Sequence, residues 1–306
     1  MFNAERLKVK LAELDLCNPT VLASGILGIT SKSLREVARS GAGAVTTKSV
    51  GLEPRDGYAN PTVIHVECGL LNALGLPNPG IHKFSEELKE LGDLEVPLIL
   101  SVYGYSAKEY GAVAKMGEEA GVDAVELNLS CPHVKGVGAE IGQSPEKIRE
   151  IVKEVKVQVK VPVFAKLTPN VSDIADLAKA AASCGVDGIT AINTVKAMAI
   201  DVETARPILS NKIGGLSGGA VKPVAVRCVY EIYKAVKVPI IGCGGVRTWK
   251  DAVEFMLAGA SAVQIGSAIA FEDLAVFKSI TDGICKYLER KNVKSVNEIV
   301  GMAHRR

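Results

Sequence analysis

The chain has 306 residues, 48% of them hydrophobic and 23% charged, enough apolar material for a sizeable buried core. Its 36 basic and 34 acidic residues leave a formal charge of +2 with no long block of one sign, which excludes the basic footprint of a nucleic-acid-binding protein and points to a small substrate. Seven cysteines without a CxxC pair and four scattered histidines exclude a disulfide scaffold, and they supply no zinc or iron–sulfur template, so no metal and a reducing cytoplasm are expected.

In chain order, the N-terminal stretch carries Glu5, Glu13 and Asp15, and its uncharged run from Leu16 to Ser31 is broken by Asn18, Pro19 and two glycines; it reads as neither a signal peptide nor a membrane span. LKVKLAELDL alternates at period two with a break near Ala12 and Glu13, which predicts a hairpin at the bottom of whatever follows. Eight short apolar runs come next: 19–25, 44–50, 97–102, 124–130, 163–169, 188–194, 239–245 and 262–268. A helix-period stretch follows each, with start signals at Ser106 and Glu109, Ser144 and Pro145, Ser172 before Asp173, and Thr248 with Asp251. The segment after Ser172 sets Ile174, Leu177, Ala178 and Ala181 on one face, as a helix packed on a sheet needs. Eight β-α units predict a (β/α)8 TIM barrel, α/β in class, as a single domain over 1–306. Three connections, 51–81, 131–143 and 195–219, are too long for turns. All rise from the C-terminal face, where barrel sites are built.

Strands of a parallel barrel are buried on both faces and should read apolar. Polar residues nevertheless gather at the strand ends: Ser24; Lys48 and Ser49; Asn128, Ser130 and Cys131; Lys166 and Thr168; Asn193 and Thr194. Buried lysines ask for an anion, which is either a bound ligand or a local carboxylate such as Glu126. Glycines mark the ends of the last two strands, Gly242, Gly244 and Gly245, then Gly266 beside Ser267, where barrels often bind phosphate through bare backbone N–H groups. GGLSGG at 214–219 could add backbone donors. Cys184, Cys228, Cys243 and Cys285 read as small buried hydrophobes. Cys131, set at a strand end before Pro132, reads as a thiol at the pocket mouth, either a general base or a nucleophile partnered by His133.

These motifs together, NLSCPH with TTKSV, GLLNALGLPNPG, AKLTPN, INT, GGLSGGA, GCGG and IGSA, resemble class 1 dihydroorotate dehydrogenases over nearly the whole chain, and within them the NAD-linked class 1B catalytic subunit. The resemblance implies an FMN-dependent barrel that oxidises dihydroorotate to orotate in pyrimidine (UMP) synthesis. It implies Cys131 as the base that takes the C5 proton while a hydride leaves C6 for the flavin. Lys48, Asn72, Asn128, Asn193 and Thr194 would bind substrate, with Ala73, Leu74, Gly75 and Leu76 from the loop that follows Asn72. Ser24, Lys48, Ser49, Asn128, Lys166 and Ile192 would contact the flavin, and Gly218, Gly244, Gly245, Gly266 and Ser267 its phosphate tail. Where many members place an asparagine against the flavin this chain has Ser101, and that contact is left unassigned. The class also implies a partner subunit carrying FAD and a [2Fe–2S] cluster, passing electrons to NAD+, around a homodimer core in a heterotetramer. Two alternatives remain: another FMN barrel acting on a pyrimidine, or a flavin-free phosphate-binding lyase or isomerase, which would purify colourless.

Overall fold

Parallel strands covered on both faces must be apolar throughout, and the short runs of this chain satisfy that condition by closing on one another. The computed structural model describes residues 4–129 and 142–305. Its barrel strands are β1 (Thr20–Leu22), β2 (Ala44–Thr46), β3 (Leu98–Val102), β4 (Ala124–Asn128), β5 (Val163–Leu167), β6 (Gly188–Ala191), β7 (Ile240–Cys243) and β8 (Ala262–Ile265). Each pairs in parallel with its neighbours in sequence, and β8 returns to β1 to complete a closed barrel. Apart from Cys243, every one of these strand residues is buried. The eight strands and their order are those expected from the sequence; β1, β2 and β6 end short of the cavity residues Ser24, Lys48, Ser49, Asn193 and Thr194, whereas β4, β5, β7 and β8 carry Asn128, Lys166, Cys243 and Gln264 within them.

One main helix follows each strand: Ser31–Arg39, Ile81–Leu91, Ala107–Glu119, Pro145–Gln158, Ile174–Ala182, Lys222–Ala235, Trp249–Ala258 and Ala275–Arg290. Their starts obey local chemistry. Ser144 accepts from the Lys147 N–H with Pro145 at the first helical position, and Thr248 and Asp251 form a complete capping box. Two start signals differ in detail. Ser106 caps its helix through the Glu109 N–H, but the Glu109 carboxylate accepts from Tyr105 rather than from Ser106, so the box is not reciprocal. Asp173, not Ser172, is the cap of the next helix, its carboxylate accepting from the Ala175 N–H. Ile174, Leu177, Ala178 and Ala181 are all buried, as their spacing requires.

The N-terminal hairpin pairs Val9–Leu11 with Leu14–Leu16, turning at Ala12 in a left-handed conformation (φ 55°). Its apolar positions Val9, Leu11, Leu14 and Leu16 join the main core while Lys10 and Asp15 face solvent. Three residues later the chain enters β1, which places the hairpin at the N-terminal end of the strands.

The C-terminal face departs from expectation. Connections 51–81 and 195–219 are not structureless: Val63–Val66, Gly69–Asn72, Ile213–Ser217 and Val195–Met198 form a four-stranded antiparallel sheet that binds the two connections together. Strands of four or five residues containing Gly69, Gly214 and Gly215 carry loop chemistry in sequence, which hid them. Gly214 and Gly215 are thereby paired with Ala197 and Lys196 inside this sheet. The described residues contain no helix long and apolar enough to cross a membrane.

Candidate active site

A strand that leaves the barrel wall at its C-terminal end turns its last side chains toward the axis, so the polar strand ends converge. Ser24, Lys48, Ser49, Asn128, Lys166, Asn193 and Thr194 all line one cavity of about 340 Å³, within the range of small-molecule and cofactor sites. Ile192 borders it as well, and it is roofed by Leu70 and Asn72 of the antiparallel sheet and by Leu74, Gly75 and Leu76 of the loop that follows.

Hydrogen bonds fix these groups relative to one another. Ser24 and Ser49 hydroxyls lie 3.1 Å apart, the Asn128 amide donates to Ser49 at 2.9 Å, and the Asn193 amide donates to the Asn128 oxygen at 3.2 Å. The Asn72 amide donates to the Gly215 carbonyl at 3.2 Å, which ties the roof's two connections together at the site. Lys48 Nζ stands 3.5 Å from the Gly25 carbonyl, and its own backbone N–H donates to Gly28. Gly28 must be glycine there: its φ is +91°, and a Cβ would press within 3.1 Å of the β2 backbone. Ser101, where the flavin-facing asparagine was left unassigned, is fully buried behind Ser49, 2.9 Å from its hydroxyl, and does not line the cavity.

Beneath this layer lies a second polar set inside the barrel. Lys166 Nζ donates to the Gln264 oxygen at 2.6 Å and to the Glu126 carboxylate at 3.3 Å. Glu126 also accepts from Thr190 at 2.9 Å and from the Gln264 amide at 2.6 Å. The local-carboxylate alternative therefore holds for Lys166. Burial acts to lower the pKa of Lys166, but the Glu126 charge above all, then Cys243 and the hydrogen bond to Glu126, hold it above the ordinary value. The ammonium stays charged at the cavity floor.

The glycine-rich end is built as expected, from Gly244, Gly245, Gly266 and Ser267. Gly245 has φ +75°, and a Cβ there would stand 2.7 Å from the Gly218 carbonyl, so only bare backbone fits. Gly218 does not line this cavity; it borders an adjoining one of about 500 Å³ that shares Gly245 and Ser267.

Ala73 is fully buried in a small apolar cluster with Leu71 and Leu209, so its side chain supports the roof rather than meeting a ligand; strand alternation turns it away from Asn72. Cys243 is not simply a core hydrophobe, since it is half-buried and lines the cavity next to Lys166. Burial pushes its thiol up, only partly offset by Lys166. Cys228 fits the small-hydrophobe reading, buried with its thiol pushed up to about 11 by desolvation. Ser130, Cys131 and His133 lie outside the described residues. Of the cavity residues the sequence reading passed over, Gln264 is the most consequential, and it was detectable as a polar residue inside the apolar run AVQI.

Comparison with known proteins follows this geometry. The family model described as dihydroorotate dehydrogenase matches residues 6–288. A protein of Methanocella arvoryzae named dihydroorotate dehydrogenase B (NAD(+)), catalytic subunit, is 54% identical over 95% of this chain and 96% of its own length. One of the same name from Pyrococcus abyssi is 53% identical over 97% of this chain and 99% of its own. Among solved structures, a dihydroorotate dehydrogenase of Eimeria tenella in complex with ferulenol superposes with a TM-score of 0.88 at 22% identity, covering 98% of this chain and 89% of that one, and it supports the fold alone. With a matching family model over most of its length and relatives above half identity, the chain belongs to the dihydroorotate dehydrogenase family of oxidoreductases.

Proposed function

We propose that this chain is the catalytic subunit of an NAD-linked dihydroorotate dehydrogenase, a single FMN-binding barrel domain oxidising (S)-dihydroorotate to orotate for pyrimidine synthesis in the cytoplasm. One observation carries the reading: a row of amides and hydroxyls with Lys48 lies in one cavity between a buried ammonium and a bare-glycine cradle. That donor set suits FMN. Lys166, Ser24, Ser49 and Ile192 would hold its ring system, while Gly244, Gly245, Gly266 and Ser267, with Gly218 at the adjoining cavity, would hold its phosphate tail. When bound, FMN supplies the two-electron acceptor for the hydride that leaves C6.

The chain's own residues do the remainder. Lys48 would bind the substrate carboxylate, and Asn72, Asn128, Asn193 and Thr194 would satisfy the pyrimidine's amides and carboxylate while Leu74, Gly75 and Leu76 exclude water above it. Cys131 Sγ would take the C5 proton, and the electron pair of that C–H bond becomes the C5=C6 double bond of orotate. A thiol with an ordinary pKa of roughly 8.5 is a better base near neutrality than a serine hydroxyl. The words "catalytic subunit" and "NAD(+)" in the relatives' names support a partner that passes electrons onward. In this reading that partner carries FAD and a [2Fe–2S] cluster and surrounds a homodimer of this chain in a heterotetramer.

The test is spectroscopic. The purified chain is expected to be yellow and to bleach when dihydroorotate is added without oxygen. Cys131→Ser is expected to keep its colour but to be reduced about 10²–10⁴-fold more slowly at neutral pH, recovering part of the rate at high pH. Unchanged stopped-flow reduction would remove Cys131 as base, and a colourless chain that binds no FMN would restore the flavin-free lyase or isomerase.

A further inference from the structure

Lys166 can donate three hydrogen bonds, and the barrel interior takes two of them, through Glu126 and Gln264. Lys166 also lines the cavity, so a group bound there can accept the third N–H. Glu126 is completely buried, and three donors hold its carboxylate: Lys166, Thr190 and the Gln264 amide. These side chains come from β4, β5, β6 and β8, so the closed barrel sets their spacing rather than any loop. A buried carboxylate with no exposure to solvent does nothing for solubility, and an ion pair of this depth is seldom retained for stability alone.

We infer that Glu126, with Gln264, is a positioning residue for the reaction: it aims the free N–H of Lys166 at the bound ring and sets how much positive potential reaches it. The inference rests on the flavin reading given above. Removing the carboxylate leaves the Lys166 charge uncompensated in a water-poor site, where its field is felt more strongly than in solution. A bound group that gains negative charge on reduction is then easier to reduce.

The test measures the flavin midpoint potential of the FMN-loaded chain. Glu126→Gln is expected to shift it positive, and Glu126→Asp, which keeps the charge, to return most of that shift. In a Lys166→Met background, the further change Glu126→Gln is expected to move the potential by a clearly smaller amount, because only the direct field of the carboxylate remains once the Lys166 N–H that it aims is gone. That double variant removes both charges together, so it serves if Glu126→Gln alone does not fold. An unchanged potential in a flavin-loaded Glu126→Gln variant overturns the inference by itself, as does a shift of equal size in the Lys166→Met background. A wild-type chain that binds no FMN overturns the flavin reading and this inference with it.

Discussion

Lys48 and Lys166 are both buried cations at strand ends, yet their surroundings assign them different work. Lys166 is bonded to Glu126 and Gln264 in the barrel interior, whereas Lys48 Nζ stands 3.5 Å from the Gly25 carbonyl and lines the cavity together with Ser24 and Ser49. A hydrogen bond between a charged donor and a carboxylate contributes about 2 kcal/mol, which is roughly 30-fold in affinity. Lys48→Ala is therefore expected to raise the orotate dissociation constant by about that factor. In the proposed reading FMN is held through many other residues, so it should be lost far less. Titrating orotate into the flavin-loaded variant and measuring FMN retention by gel filtration separates the two. Equal weakening of both would move Lys48 to a purely flavin role.

At the scale of elements, helix caps carry a pH dependence that can be assigned a sign. Asp251 closes the capping box of helix Trp249–Ala258 and accepts from Lys222 at 2.7 Å, linking it to helix Lys222–Ala235. Burial alone would raise the Asp251 carboxyl, but the bonds from Lys222, Thr248 and Arg247 together hold it below its ordinary 3.8. Lys222 is raised above 10.5 by hydrogen bonds to Asp251 and Glu254. A lowered acid stabilises the fold above its ordinary pKa and loses that contribution as pH falls through the lowered value; a raised base keeps its contribution below 10.5 and loses it as pH rises past the raised one. Asp251→Asn is expected to cost about 1–2 kcal/mol at pH 7, a deficit that narrows on acidification below pH 4. Denaturant titrations at several pH values would show it; a deficit constant down to pH 2 would mean that charge plays no part. The same cap was legible in sequence because Thr248 and Asp251 are three residues apart, and the barrel strands were legible because burial on both faces forces an apolar run. Glu126 could be named from sequence as a carboxylate partner for a buried lysine, but its pairing with Gln264 could not, since that depends on β4 and β8 standing across a barrel, 138 residues apart. The roof strands were missed for the opposite reason: VIHV and GLLN are half-exposed, short and glycine-marked, so local pattern reads them as loop.

Among the described residues, the molecule carries two separate apolar cores. Barrel strands, helices and the N-terminal hairpin share one continuous apolar cluster, while Leu71, Ala73 and Leu209 form a separate small one in the roof with Ile64, Val66 and Leu216 packed on it. A unit with so few buried apolar side chains has little stability of its own, and it can open without the barrel. Gly69 is where the roof can be tested, because a Cβ there would overlap the Ser217 carbonyl, the neighbouring backbone in the sheet. No rotamer change relieves a clash with backbone. Gly69→Ala is expected to part strands Gly69–Asn72 and Ile213–Ser217, breaking the Asn72 amide bond to Gly215 and displacing Asn72, Leu74 and Leu76 from above the cavity. Proteolytic cleavage should then rise within 51–81 and 195–217, and orotate affinity should fall by at least tenfold, about 1.4 kcal/mol. The barrel's melting temperature should change by only a few degrees, because its own core is untouched. If instead cleavage stays the same, the roof tolerates the added carbon by a shift of backbone. If the melting temperature collapses together with ligand binding, roof and barrel unfold as one body, and the two clusters are energetically a single core.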